Sequence, residues 1–598
     1  MSEFVDSETG ARCHQTMVAM RDGTRLNTFV FLPTDGEQFP VILQRTPYGI
    51  AKQDGSANHD VSQGWLPSPV EPLRGSILRG WRNITSHGYA AVYQDARGRF
   101  GSEGEDRVYA DDASDGWDTL AWISEQDWTN GRVGMSGSSA GATTTYAAAS
   151  TKHPSLKAFW AQVGGSSIYD DVVCEGQSIE MERLWLWVAK NIPGLSASHR
   201  EAARTRAGLS EAEMDEAAAR AMARYNRLDA ARNDSPPFTS SEEWMCLPLA
   251  DYPDFAVWQP FLNEIITHPA PDAFRAAHNF RNTINIPGFH ATTWYDIFLT
   301  SVIAAYTEIE GRAGNQRLWI GPNGHYFIYE EQFWPRDPYF EWFGHWLKDE
   351  DSPLLEEPPV HFSTRAWTDD PQSYAANDWK FSNSWPLYEA VEKNLYLTVD
   401  GAILDDVGGE GARTYTYDPR RPVATYGGRN MAIDPGPMDQ RPAEGHPDYG
   451  LVYRCDPLDT EMTIAGPVRV DLHVSSDCPD TDFVAKLIEE TSAGEAKLLM
   501  DGVTRAMLRS GTDQIERLTP GEIVSLSISL GQIYHTVQAG SCLRVDITSS
   551  NFPRRARNTN SGNLTLAKDG DADIRVAHNA VHHGGRVANV VNLRVLPA

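Results

Sequence analysis

The sequence predicts an α/β domain with a helical insertion, followed by an all-β domain. Three observations carry this. Between about residues 15 and 150, short β-rich apolar runs ("TFVFLP", "PVILQRT", "AAVYQD", "RVGMSG") alternate with helical stretches, the pattern of a mainly parallel sheet covered by helices. From about 151 to 280 the character turns helical, and strand signals return in "INIPGFHATTWYD" and "NQRLWIGPNGH", which marks the helical block as an insertion. Past about residue 350, short strands separated by Gly, Pro, Asp and Asn turns read as a sandwich or jelly roll.

Taken in order, "ASDGWDTLAWISEQ" places Trp117, Leu120, Ala121 and Ile123 together and predicts a helix packed on the sheet. In the insertion, "MERLWLWVAK" reads as an aromatic core stripe rather than a pocket wall. "LSEAEMDEAAARAMARYNRL" opens with Ser210 and Glu213 in capping-box spacing and continues with strong helix formers. The acidic, proline-bearing "KDEDSPLLEEPP" (348–359) reads as a linker, and "NLYLTVDG", "GPVRVDLHVSSD", "EIVSLSISL" and "SCLRVDITSS" supply strands of the last domain. The expected division is 1–150 with 280–350 for the α/β domain, 151–279 for the helical cap and 351–598 for the jelly roll.

Composition narrows the chemistry. A chain of 598 residues exceeds one hydrophobic core. With 52 basic against 81 acidic residues, the net charge of −29 repels phosphate backbones and anionic lipid alike, so neither nucleic acid nor a membrane is an expected partner. The six cysteines are scattered without zinc or redox spacing, and no metal or cofactor is expected. The start, "MSEFVDSETGARCHQ", lacks a basic segment followed by an apolar run, and the expected location is the cytoplasm. Monomer and homo-oligomer both stay open.

The stretch "GMSGSSAGATTTYAAAS" (134–150) contains Gly137-Ser138-Ser139-Ala140-Gly141, a G-x-S-x-G between a strand-like run and a helix-compatible one. That context predicts Ser139 as a nucleophile on a strained strand-to-helix turn, with Ser136 and Ser138 as turn residues. A serine hydroxyl needs a base and an orienting acid, which in this arrangement follow in the order Ser, Asp, His. Among 17 histidines, His325 follows "RLWIGP" on a glycine-bearing loop, and Asp296 follows the strand signal of "HATTWYD". His290, inside that strand signal, reads as packed and hydrogen-bonded. "DARGRFGSEG" (95–104) lacks a phosphate-binding pattern and reads as a buried ion-paired turn beside the site.

In order along the chain, "VAMRDGTRLNTFVFLP", "QRTPYG", "QDARGRFGSEG", "GRVGMSGSSAG", "WYDIF", "IGPNGH", "TDFVAKL", "SSNFPRRARNTNSG" and "HNAVHH" resemble motifs of the cocaine esterase and Xaa-Pro dipeptidyl-peptidase family of serine hydrolases. The resemblance implies an α/β-hydrolase domain with a helical cap and a jelly roll. It implies Ser139, Asp296 and His325 as the catalytic triad, and Tyr48 with the Ala140 N–H as the oxyanion hole. Relatives that bind an α-amino group carry acids just after the catalytic aspartate; here Phe298 and Leu299 stand there, which disfavours an ammonium substrate unless Asp170 or Asp171 of the cap compensates. Relatives often carry tyrosine after the nucleophile, and Ala140 widens that part of the pocket. The expected activity is hydrolysis of a small-molecule carboxylic ester, or an amide, with an apolar or aromatic acyl group. The alternatives are an Xaa-Pro dipeptidyl-peptidase or other amidase or acylase, and a ligand-binding protein with a vestigial hydrolase domain.

Overall fold

The computed structural model describes residues 2–6, 9–50, 80–231, 243–252, 257–269, 271–325, 336–368, 378–431, 433–585 and 587–597. The N-terminal half is built on strands β1 (Ser2–Val5), β2 (Arg12–Ala19), β3 (Arg25–Leu32), β4 (Phe39–Thr46), β5 (Ala90–Asp95), β6 (Thr129–Ser138) and β7 (Leu156–Gln162). After a cap hairpin, β8 (Cys174–Glu175) and β9 (Ser178–Ile179), come β10 (Gly288–Thr293), β11 (Gln316–Gly321), β12 (Val360–Ser363) and β13 (Trp379–Ser382). Eleven of these form one sheet in the order β1-β2-β3-β5-β4-β6-β7-β10-β11-β12-β13. From β5 to β12 every pairing is parallel, and the outer pairs are antiparallel. Every residue of β4, β5, β10 and β11 is buried, as a parallel sheet covered on both faces requires.

Period-two alternation sorts the side chains. Val41 and Leu43 join the core under helices α2 (Asp112–Ser124) and α3 (Ala140–Ser150), while Ile42 points to the opposite core with α1 (Trp81–Ser86) and the helix Pro338–Lys348. The face that α2 buries is Asp112, Asp115, Gly116, Thr119, Leu120 and Ile123, an i, i+3, i+4 stripe in which Trp117 and Ala121 have no place. Gly116 is the reason for this rotation: a Cβ there would stand 2.7 Å from that of Ala148, so α2 and α3 touch nearly backbone to backbone.

The cap carries the β8–β9 hairpin and helices α4 (Met181–Asn191), α5 (Ala197–Ala207) and α6 (Glu211–Ala231). Ser210 and Glu213 form the reciprocal cap of α6: the Glu213 N–H donates to Ser210 Oγ at 3.3 Å, and the Ser210 N–H to Glu213 Oε2 at 2.8 Å. Strand β7 lies inside the stretch expected to be cap, and β12 and β13 lie beyond the boundary expected at 350; all three extend the eleven-stranded sheet. The acidic "linker" accordingly includes the short helix Pro353–Glu356 and leads straight into β12.

The C-terminal part packs a seven-stranded sheet against a four-stranded one, with Met462–Ser476 and Val524–Val537 as its long antiparallel pair. It grips the cap through buried charges from "SSNFPRRARNTNSG". Arg554, held at 2.5 Å by Asp501 of the C-terminal part itself, bonds Glu175 of the cap at 3.0 Å, and Arg555 bonds Glu180 at 2.6 Å. All six cysteines are free. Among the described residues, no helix is long and apolar enough to cross a membrane, and no group of three or more His, Cys, Asp and Glu side chains is arranged to hold a metal.

His290 on β10 is fully buried, its Nδ1 2.8 Å from Tyr146 OH and its Nε2 3.0 Å from Gln316 Oε1. Burial pushes its pKa down to about 4, against the opposing effect of the Gln316 hydrogen bond. The unfolded chain takes up this proton below the ordinary value of about 6.5, whereas the native state resists it to about pH 4, so the contribution is complete above pH 6.5 and is lost as pH falls toward 4. His290→Gln is therefore expected to lower the melting temperature at neutral pH yet flatten its fall between pH 6.5 and 4. The difference, on the order of 3 kcal/mol, is checked by calorimetry across that range.

Candidate active site

Ser139 occupies the single residue between β6 and α3 and has φ 56°, ψ −122°. A non-glycine residue holds such a backbone only where its surroundings enforce it. Glycines supply the room. A Cβ on Gly137 would come within 2.1 Å of the Gly141 carbonyl oxygen, and one on Gly164, after β7, would come within 2.8 Å of the Ser139 carbonyl oxygen. The Ser139 N–H donates to Gln162 O at 2.9 Å, tying the turn to the end of β7. Residues Ala140 to Ala149 of α3 are all buried, and apart from Tyr146 their side chains are small and let the helix lie close to the sheet.

Ser139 Oγ is 3.0 Å from His325 Nε2, and His325 Nδ1 is 2.7 Å from Asp296 Oδ1. Asp296 is fully buried; its other oxygen accepts from Thr292 Oγ1 at 2.8 Å. The loops after β10 and β11 deliver Asp296 and His325 to the same sheet edge at which β6 ends. A carboxylate on Nδ1 places a proton there and leaves Nε2 as an acceptor toward the serine hydroxyl.

Tyr48 follows β4, with its hydroxyl 3.5 Å from Ser139 Oγ. Its loop is fixed by the Ala96 N–H to Thr46 O at 2.9 Å and by the Ile50 N–H to Asp95 Oδ1 at 3.0 Å. Gly49, at φ +85°, has no room for a side chain, because a Cβ would meet the Phe100 ring at 2.7 Å. Burial pushes the Asp95 carboxyl up to about 7, opposed by hydrogen bonds from Asn27, Ile50 and Gly101. Ala140 is the first residue of α3, the position at which a backbone N–H has no partner within the helix.

The stretch at 95–104 is an ion-paired turn: Arg97 bonds Asp115 and Asp22, each at 2.6 Å, and Arg99 pairs with Asp106. Phe298 is 8% exposed, its ring 5.8 Å from that of His325 and covered by the Arg183 guanidinium at 5.1 Å. Leu299 is buried at the start of the helix Leu299–Ala313. Asp171 Oδ2 accepts from the N–H groups of Ser166 and Ser167 and from Ser301 Oγ, and it pairs with Arg281 at 2.8 Å; Asp170 pairs with Arg275 at 2.5 Å.

Three contributors escape the sequence reading. Thr292 fixes the far side of Asp296. Gly164 makes space for the serine turn. Trp187 leaves the aromatic stripe of α4 to donate its indole N–H to Tyr48 OH at 3.2 Å. For Trp187 a signal existed: Trp185 and Trp187 are two residues apart and cannot share one helix face. Trp185 is 1% exposed and takes the core, and Trp187 is only half-buried.

The family model described as X-Pro dipeptidyl-peptidase (S15 family) matches residues 22–327, and that of the X-Pro dipeptidyl-peptidase C-terminal non-catalytic domain matches residues 356–592. The cocaine esterase of Rhodococcus sp. (strain MB1 Bresler) is 29% identical over 602 residues, covering 95% of this chain and 96% of its own. Among solved structures, an α-amino acid ester hydrolase shares the fold with a TM-score of 0.74 at 21% identity, over 99% of this chain and 98% of the other. An aminopeptidase from a marine sediment archaeon, Thaumarchaeota archaeon, shares it with a TM-score of 0.71 at 21% identity, over 100% and 99% of the two chains. The chain belongs to the X-Pro dipeptidyl-peptidase (S15) family and is a serine hydrolase.

Proposed function

We propose that this hydrolase cleaves a small-molecule carboxylic ester with an apolar or aromatic acyl group, through an acyl-enzyme. The observation that carries the reading is the continuous contact from Ser139 Oγ through His325 to Asp296, at 3.0 and 2.7 Å. Ser139 Oγ attacks the carbonyl carbon as its proton passes to His325 Nε2, and Asp296 holds the imidazole tautomer and balances the imidazolium. The negative oxygen of the tetrahedral intermediate takes hydrogen bonds from Tyr48 OH and the Ala140 N–H. His325 returns the proton to the leaving alcohol, and a water deprotonated by the same imidazole then releases the acid.

The substrate class rests on what flanks the histidine. Phe298 sets an aromatic ring beside that of His325, and the acidic candidates for an ammonium partner, Asp170 and Asp171, are engaged by Arg275 and by Arg281 with three serines. In this reading Asp171 supports the fold of the cap, and its carboxylate is already committed rather than open to a desolvated ammonium. The cocaine esterase relative agrees in reaction type. Six unpaired cysteines suit a reducing compartment such as the cytoplasm.

The deciding assay sets p-nitrophenyl acyl esters against an Xaa-Pro-nitroanilide on the purified chain. The ester is expected to turn over faster, with a benzoyl ester ahead of an α-amino acyl ester. Faster cleavage of the anilide would transfer the assignment to the peptidase reading that the family description carries.

A further inference from the structure

Two stretches distinguished in the sequence, "DARGRFG" and "MERLWLWVAK", hold no group assigned to the reaction above. They meet at Trp187. Its Nε1–H donates to Tyr48 OH at 3.2 Å, and the Arg99 guanidinium lies against its ring with Cζ 5.4 Å from the centroid. Arg99 is 1% exposed and fixed in place: it pairs with Asp106 and donates through Nη1 to Asn191 O, the last carbonyl of α4, at 2.8 Å. Asn191 Nδ2 in turn donates to Trp187 O at 2.7 Å, and Gln259 Nε2 holds Asp106 at 2.8 Å. Tyr109 packs its ring 6.2 Å from that of Trp187, and it and Val108 are successive non-glycine residues at φ +67° and +45°. Such strain is held in place only by firm surroundings, and it is concentrated here beside the site.

We propose that Arg99 and Trp187 are positioning residues that set the donor strength of Tyr48 toward the oxyanion. The proposal rests on the reading of Tyr48 as an oxyanion donor. A phenol has one proton and two lone pairs; a donor into its oxygen keeps the proton off that side and leaves it to turn to Ser139 Oγ, 3.5 Å away, and to the charge that forms there. The same hydrogen bond polarises the phenol and strengthens its O–H as a donor. A cation over the indole draws electron density from the ring and sharpens the Nε1–H in turn. Each effect grows with the negative charge on the substrate oxygen, so it acts on the transition state and appears in kcat rather than in KM. A tryptophan serving only as an apolar wall would act on KM and would not need the Tyr48 hydroxyl.

The test is a double-mutant cycle read with a p-nitrophenyl acyl ester. Tyr48→Phe alone is expected to lower kcat by about 10²–10³. Trp187→Phe is expected to lower kcat roughly fivefold, the equivalent of one neutral hydrogen bond, with KM little changed, and to have no further effect in the Tyr48→Phe protein. Replacing Trp187 by benzothienylalanine, which keeps the bicyclic ring and exchanges N–H for sulfur, should reproduce the loss if the smaller ring of phenylalanine disturbs the cap. Removing the cation with its counterion, as Arg99→Gln with Asp106→Asn, should cost roughly twofold to fivefold only while Tyr48 and Trp187 are both present. A boronic acid, whose tetrahedral adduct fills the oxyanion hole, should weaken by the same factor as kcat in each variant. Equal losses with and without the Tyr48 hydroxyl, or losses confined to KM, overturn the relay. An unchanged kcat in Tyr48→Phe overturns the oxyanion assignment itself, and the relay with it.

Discussion

Ser139→Ala is expected to lower kcat for acyl esters by about 10⁶ and to abolish labelling by a fluorophosphonate, while the protein melts close to the wild-type temperature. In the proposed mechanism the hydroxyl forms the covalent bond, so without it His325 and Tyr48 would face a substrate that has no nucleophile. What remains is the rate supplied by binding and the oxyanion donors alone. The fold should tolerate the change because Ser139 is only partly buried and alanine suffers the same backbone strain as serine at φ 56°. Glycine does not, so Ser139→Gly should be equally inactive yet more stable than Ser139→Ala, by about 1–3 kcal/mol. That ordering, measured by calorimetry, separates a strained turn from an ordinary loop. Fluorophosphonate labelling that survives in Ser139→Ala would move the nucleophile elsewhere.

The parts of this structure legible in the sequence are those written in local periodicity. The buried parallel strands announce themselves as short apolar runs, the α6 cap as Ser210 and Glu213 three residues apart, and the serine turn as paired glycines between a strand and a helix. The meeting of Asp296 and His325 with Ser139 is legible because chain order and the ends of strands restrict where such groups stand. What escaped is whatever depends on contact between distant segments. Thr292 is the local exception: from the end of β10 it reaches Asp296 only four residues on, and threonine in a strand carries no mark of its partner. Gly164 is needed only because the Ser139 carbonyl passes 2.8 Å from where its side chain would be. The stripe of α4 looked like core because hydrophobicity alone does not tell which of two tryptophans turns to the sheet and which to the site. The first sheet runs across the expected domain boundaries for a similar reason: β7, β12 and β13 are ordinary strands whose place in it is decided by pairing partners far along the chain.

Asp296→Asn is expected to lower kcat by about 10⁴ with little change in KM, and the cause is a proton in the wrong place. Asp296 now accepts on both oxygens, from His325 Nδ1 at 2.7 Å and from Thr292 Oγ1 at 2.8 Å. An asparagine has one accepting end and one donating end. With Thr292 donating to the oxygen, the amide NH₂ faces His325 Nδ1, which must then accept, and the imidazole proton moves to Nε2. There it meets Ser139 Oγ, 3.0 Å away, so the base has become a donor just where it must take a proton. Replacing Thr292 by valine frees the amide to turn its oxygen back toward Nδ1–H. Thr292→Val combined with Asp296→Asn should therefore recover part of the loss, whereas Thr292→Val alone should slow the enzyme only modestly. Steady-state kinetics on the three variants decide it: a double variant no better than Asp296→Asn would show that the cost lies in lost negative charge beside the imidazolium rather than in the tautomer.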